Sequence, residues 1–101
     1  MYRDIIRYRL AEGVTQEQLL QAAESVERDW MGSLPGFISW EIHRVGDTGA
    51  YMDIVTWESK ESAKEAETAM AKLPADHPWY ACYAPESITS DGITSLWTSV
   101  S

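Results

Sequence analysis

An α+β fold, with two helices on one face of an antiparallel sheet in the order β-α-β-β-α-β, is predicted by three features of this sequence. Phe37–Val45 and Tyr51–Trp57 are rich in β-formers and flank the turn cluster Gly46-Asp47-Thr48-Gly49, which reads as a hairpin. A stretch with apolar residues at helical spacing lies on either side of the hairpin, and an alternating, strand-like segment lies outside each. Neither hairpin face is polar enough to be simply wet: two Trp, two Ile and a Val fall on one side, and Phe37, Met52 and Ile54 on the other. Helices in a chain of 101 residues can cover one face, so the other needs an external cover.

Strand one is read at Asp4–Leu10, with Ile6, Tyr8 and Leu10 on one face and Ile5, Arg7 and Arg9 on the other, and Gly13 ends it. Thr15-Gln16-Glu17-Gln18 is a capping-box pattern that starts helix one. Leu19, Ala23, Val26 and Trp30 form its apolar stripe, and Gly32-Ser33 closes it. Pro35-Gly36 is a turn signal ahead of strand two. A turn centred on Asp47-Thr48 sets Val45 against Ala50, His43 against Met52, Glu41 against Ile54 and Ser39 against Thr56. Ile38, Trp40, Ile42, Tyr51, Asp53, Val55 and Trp57 then share the other face. Ser59 or Ser62 caps helix two, whose stripe is Ala63, Ala66, Ala69, Met70 and Leu73, and Pro74 stops it. Asp76–Pro85 is short, aromatic and flanked by prolines, which predicts a helical turn or two acting as a lid or plug. Ile88–Trp97 reads as a last strand, bulged or broken at Asp91-Gly92.

Composition narrows the function. With 45% hydrophobic and 24% charged residues the chain has the make-up of one ordinary globular domain, residues 1–101. No apolar run approaches a membrane span, and the opening MYRDIIRYRL lacks the apolar core of a signal peptide. The lone Cys82 excludes an internal disulfide and fits a reducing, cytoplasmic location. A net charge of −8 speaks against nucleic acid and anionic membrane as partners.

The βαββαβ order is that of the ferredoxin-like split βαβ arrangement. Apolar residues on both hairpin faces predict a homodimer packed sheet to sheet. Leu34-Pro35-Gly36-Phe37, the aromatic-rich third strand ending Trp57-Glu58-Ser59, and the Ala-rich helix after it resemble the antibiotic biosynthesis monooxygenase-like group of dimeric α/β-barrel proteins, over nearly the whole chain. The resemblance implies a cavity between sheet and helices in each protomer. In some members that cavity oxidises aromatic polyketides with O₂ and no metal or flavin; in others it degrades haem. The haem degraders use an Asn on strand one, a Trp on helix two and a His shortly after. Here strand one offers Ile6 and Arg7, the helix-two position is Ala66, and only His77 matches, which speaks against haem degradation by that mechanism.

Two residues qualify as a base. Asp53 interrupts an otherwise apolar strand, so it must be paired or have a raised pKa; it reads as a base for a phenolic proton or as an ion-pair partner of Arg44 or Arg7. His77 reads as a general base near neutral pH, as an axial ligand, or as an ordinary capping histidine. Tyr8, Trp30, His43, Trp57, Trp79, Tyr80 and Tyr83 are the candidates for holding a flat aromatic ligand. Against that, Trp30 and Trp57 also suit an ordinary core, and His43 an edge strand beside Glu41. Cys82 has no basic neighbour in sequence and reads as an inert thiol. Metal-ligand spacing, a glycine-rich phosphate loop and a Ser-His-Asp pattern are all missing, so no cofactor is expected. These features predict a homodimeric, cofactor-independent monooxygenase-like protein for an aromatic or polyketide-type small molecule. A cyclase or isomerase on the same scaffold, or a non-catalytic binding dimer, are the alternatives.

Overall fold

Tyr51, Asp53, Val55 and Trp57 are buried in a row on one face of the central hairpin strand, and the rest of the molecule is arranged to bury them. The computed structural model describes residues 1–70, 73–74 and 76–100. Its elements are β1 (Tyr2–Arg9), α1 (Gln16–Asp29), β2 (Phe37–Val45), β3 (Ala50–Trp57), α2 (Lys60–Met70) and β4 (Thr89–Thr94), with short 3-10 turns at Met31–Ser33, Pro78–Ala81 and Pro85–Ser87. The four strands are antiparallel in the order β2-β3-β1-β4, which is the ferredoxin-like topology.

The helices start where local chemistry requires. Thr15 Oγ1 accepts from Gln18 N at 3.2 Å while the Gln18 side chain accepts from Thr15 N at 2.8 Å, so two free donors of α1 are satisfied reciprocally. Leu19, Ala22, Ala23 and Val26 then bury its inner stripe. Ser59 is the cap of α2, its Oγ accepting from Ser62 N at 3.1 Å. Small Ala63 and Ala66 are the buried positions of α2, so a large space remains between that helix and the sheet. Gly36, at φ +79°, makes the close approach before β2: a Cβ there would run into the Ser62 side chain.

The hairpin register is the one the turn dictates, from Val45 opposite Ala50 to Ser39 opposite Thr56. At its far end two expectations are corrected. A bulge between Phe37 and Ser39 shifts the alternation, so Phe37 pairs with Trp57 and its ring lies 5.7 Å from the Trp57 ring, on the helix side. Ile38 is turned out instead of joining Trp40 and Ile42. The last strand is also unbroken, because Asp91 pairs with Ile5 and Gly92 with Asp4. Gly92 is a packing requirement: the Tyr2 ring occupies the place a Cβ would take. β4 ends at Thr94, which leaves Leu96 and Trp97 outside it and exposed.

The aromatic segment is tied to the end of β1. Ala11 N donates to Cys82 O and Ala84 N donates to Arg9 O, each at 2.9 Å, and Leu10 bridges Tyr83. These bonds hold Trp79 and Tyr83 above the inner face of the sheet, beside Tyr8.

Candidate active site

Between the inner sheet face, α1, α2 and the aromatic segment lies a cavity of about 650 Å³. Its size follows from the small residues of α2, and its walls are aromatic and aliphatic, with a few polar groups among them. Tyr8, Trp30, Asp53, Trp57, Trp79 and Tyr83 all line it. Trp79 packs edge-on against Trp40 with ring centroids 5.1 Å apart, and against Tyr83 at 6.2 Å, so the rings fix one another's planes.

Asp53 is the centre of the polar part. It is 1% exposed, and its two carboxylate oxygens are held separately: Tyr8 Oη donates to Oδ1 at 2.7 Å and Trp40 Nε1 donates to Oδ2 at 3.1 Å. Burial pushes its pKa up to about 6, while the bonds from Tyr8 and Trp40, and the charge of His43, pull in the opposite direction. Each oxygen keeps a lone pair after accepting one bond, so the group retains capacity for a further proton. The Tyr8 hydroxyl is pushed far above the ordinary phenol range, by burial first and by the Asp53 charge second, so it stays a neutral donor. An ion pair with Arg44 or Arg7 does not form. Arg7 lies on the other face and pairs with Asp91 at 3.7 Å, Arg44 is exposed, and no salt bridge reaches Asp53 among the described residues. Hydrogen bonds from two neutral donors take the place of the cation.

The two histidines lie outside this wall. His77 caps the 3-10 turn at Pro78–Ala81, its Nδ1 accepting from Trp79 N at 3.1 Å. That bond fixes the backbone of the turn that carries Trp79 and occupies the lone pair a base would use. His43 is on the exposed edge strand, with Nε2 3.1 Å from Glu41 Oε1, where it borders a smaller groove with Gln16 and Tyr51. Cys82 is buried, donates to Pro78 O at 3.3 Å, and has its thiol pKa raised by burial. Among the described residues no group of three metal-ligating side chains converges.

Several wall residues escaped the sequence reading: Trp40, Asp4, Glu67, Met31 and Met70. Period-two alternation already placed Trp40 on the face of Asp53, which was the available signal. Asp4 had a signal too, since it alternates with Ile6 and Tyr8 on strand one.

No family model matches the sequence, and no curated protein does. Solved structures match its fold. SnoaB, a cofactor-independent oxygenase from Streptomyces nogalater, superposes with a TM-score of 0.75 at 15% identity, over 96% of this chain and 94% of that one. The monooxygenase ActVA-Orf6 of Streptomyces coelicolor, in complex with nanaomycin D, gives 0.65 at 18% identity, over 99% and 91%. MhuD, a heme-degrader from Mycobacterium tuberculosis with two hemes bound in its active site, gives 0.67 at 16% identity, over 99% and 100%.

Proposed function

We propose that this protein is a cofactor-independent oxygenase that binds a phenolic aromatic molecule in the cavity and uses Asp53 to deprotonate it. The observation that carries this reading is the Tyr8–Asp53–Trp40 arrangement: a buried carboxylate with no cationic partner among the described residues, with a pKa near 6, in the wall of an aromatic-lined cavity. A base of that strength is mostly ionised at neutral pH and is still a better proton acceptor than an exposed aspartate. Tyr8 and Asp53 both line the cavity and are bonded to each other, so the ligand proton reaches the carboxylate directly or through the Tyr8 hydroxyl, which accepts one proton while donating its own.

Removal of the phenolic proton makes the ring electron-rich enough to reduce O₂. For a substrate with a ring methylene, one oxygen atom becomes the new carbonyl and the other leaves as water; the substrate itself supplies the four electrons. The protein contributes orientation of the ring plane, by Trp79, Tyr83 and Trp30, and exclusion of water. His77 acts in this scheme through Trp79, and His43 does not meet the ligand. The likeness to SnoaB and ActVA-Orf6 supports an oxygenase scaffold of this kind.

We also propose a homodimer formed through the outer sheet face. Its support is the half-buried Ile5, Met52 and Ile54 on that face, together with the exposed Leu96, Trp97 and Val100 of the segment after β4.

Tryptophan fluorescence across a panel of naphthols, anthrones, quinones and haem tests the binding half of the reading. Saturable quenching by phenolic ligands that weakens about tenfold in Trp79→Phe supports it. No quenching by any of them contradicts it.

A further inference from the structure

The charged groups in the cavity wall are Asp4, Asp53 and Glu67; among the described lining residues there is no Arg, Lys or His. Asp53 has its two donors, but the Asp4 end is incomplete. Asp4 lies opposite Val55 and Asp53 opposite Ile6, so the two carboxylates are diagonal neighbours on one sheet face, their positions roughly 7–8 Å apart. Trp57, the next inward residue after Val55, is 3% exposed, and its Nε1–H is buried without an acceptor in hydrogen-bonding geometry among the described residues. Asp4 is held above the usual carboxylate range by burial first and also by Glu67, with the Trp57 indole pulling the other way. The indole N–H therefore interacts with the Asp4 carboxylate, but from outside hydrogen-bonding geometry.

Only certain ligand groups complete such an end. A carboxylate accepts from an indole N–H, but Asp4 and Glu67 repel it; a pure donor serves Asp4 but leaves Trp57 unpaired. A hydroxyl does both, donating to the Asp4 carboxylate while its oxygen accepts from Trp57.

We propose that Asp4, Trp57 and Glu67 form a second polar subsite that selects uncharged aromatic diols, with one hydroxyl at Asp53 and the other at Asp4, and rejects aromatic carboxylates. This rests on the reading that the cavity takes a phenolic aromatic. It goes beyond that reading by assigning specificity to residues distant from the base.

Calorimetric titration of the full chain with naphthol, a dihydroxynaphthalene and a hydroxynaphthoate tests it, in the wild type and in Asp4→Asn and Glu67→Gln. The wild type is expected to bind the diol about tenfold or more tighter than the hydroxynaphthoate, with naphthol between them. Each variant should shrink the diol-to-carboxylate ratio by about threefold or more. Glu67 is exposed, so its variant keeps the test open if Asp4→Asn does not fold. Equal affinity for diol and carboxylate in the wild type, or an unchanged ratio in Glu67→Gln and in folded Asp4→Asn, overturns the subsite while leaving the aromatic cavity standing. Failure of all three probes to bind overturns both.

Discussion

Tyr8 and Asp53 are joined across adjacent strands by a hydrogen bond of 2.7 Å, the Tyr8 hydroxyl donating to a carboxylate that is 1% exposed. β1 and β3 pair so that Tyr8 faces Tyr51 and Ile6 faces Asp53, which makes Tyr8 the diagonal neighbour of the carboxylate and within reach of it. The pair exists because the sheet register is fixed by the hairpin turn and by the burial of one face. Its chemistry follows from its position: burial raises Asp53, and the donated bond moderates the rise.

Removing the donor should therefore raise the carboxylate further. In Tyr8→Phe, and separately in Trp40→Phe, the Asp53 pKa is expected above the wild-type value of about 6, because both bonds favour the ionised form. Carbon-detected NMR titration of the side-chain carboxyl gives the midpoint directly. A midpoint that falls in both variants contradicts the assignment.

Stability should decline as pH rises through the weakly acidic range. The folded-state pKa of Asp53 lies above the ordinary aspartate value of 3.8, so between about pH 4 and pH 6 the folded protein binds more protons than the unfolded chain. Stability is greatest below that window and levels off above it, the loss amounting to roughly 3 kcal/mol from this group. Urea denaturation at several pH values should show the decline in the wild type and a flatter profile in Asp53→Asn.

His77→Ala should behave as the loss of a cap. The Trp79 N–H loses its acceptor, costing about 1 kcal/mol of stability, and the turn that carries Trp79 is loosened. Ligand affinity is expected to drop several-fold while the pH dependence of turnover stays that of Asp53. A variant in which the acid limb of the profile disappears would show His77 to be the base.

Much of the fold was legible because the signals were local and agreed with one another: the glycine-flanked turn set the hairpin register, and Thr15 with Gln18 marked the start of α1. The bulge at Ile38 was not legible, since an extra residue in one strand leaves the local pattern unchanged and depends on how Phe37 packs on Trp57. Asp91-Gly92 misled for a related reason. Glycine usually weakens a strand, but here it makes room for a ring from Tyr2, ninety residues away in sequence. At the site, the need for Asp53 to be paired or shifted could be read from the strand alone, whereas its partners could not. Tyr8 and Trp40 reach it from two different strands, so charge complementarity pointed to arginines while the fold supplied neutral donors.

Gly36→Ala is expected to destabilise by about 1–3 kcal/mol, since the substitution meets both a positive φ and the Ser62 side chain. Thermal unfolding of Gly36→Ala with and without Ser62→Gly separates the two causes. The double variant should recover only the part due to the clash.

Oxygen uptake with an anthrone, in metal-free and flavin-free buffer, compared between the wild type and Asp53→Asn, tests the central claim most directly. The account predicts uptake above the spontaneous rate in the wild type, and a fall of about a hundredfold or more toward that rate in the variant, with anthrone affinity largely retained. Uptake in Asp53→Asn equal to that of the wild type, or none above background in either, would contradict it.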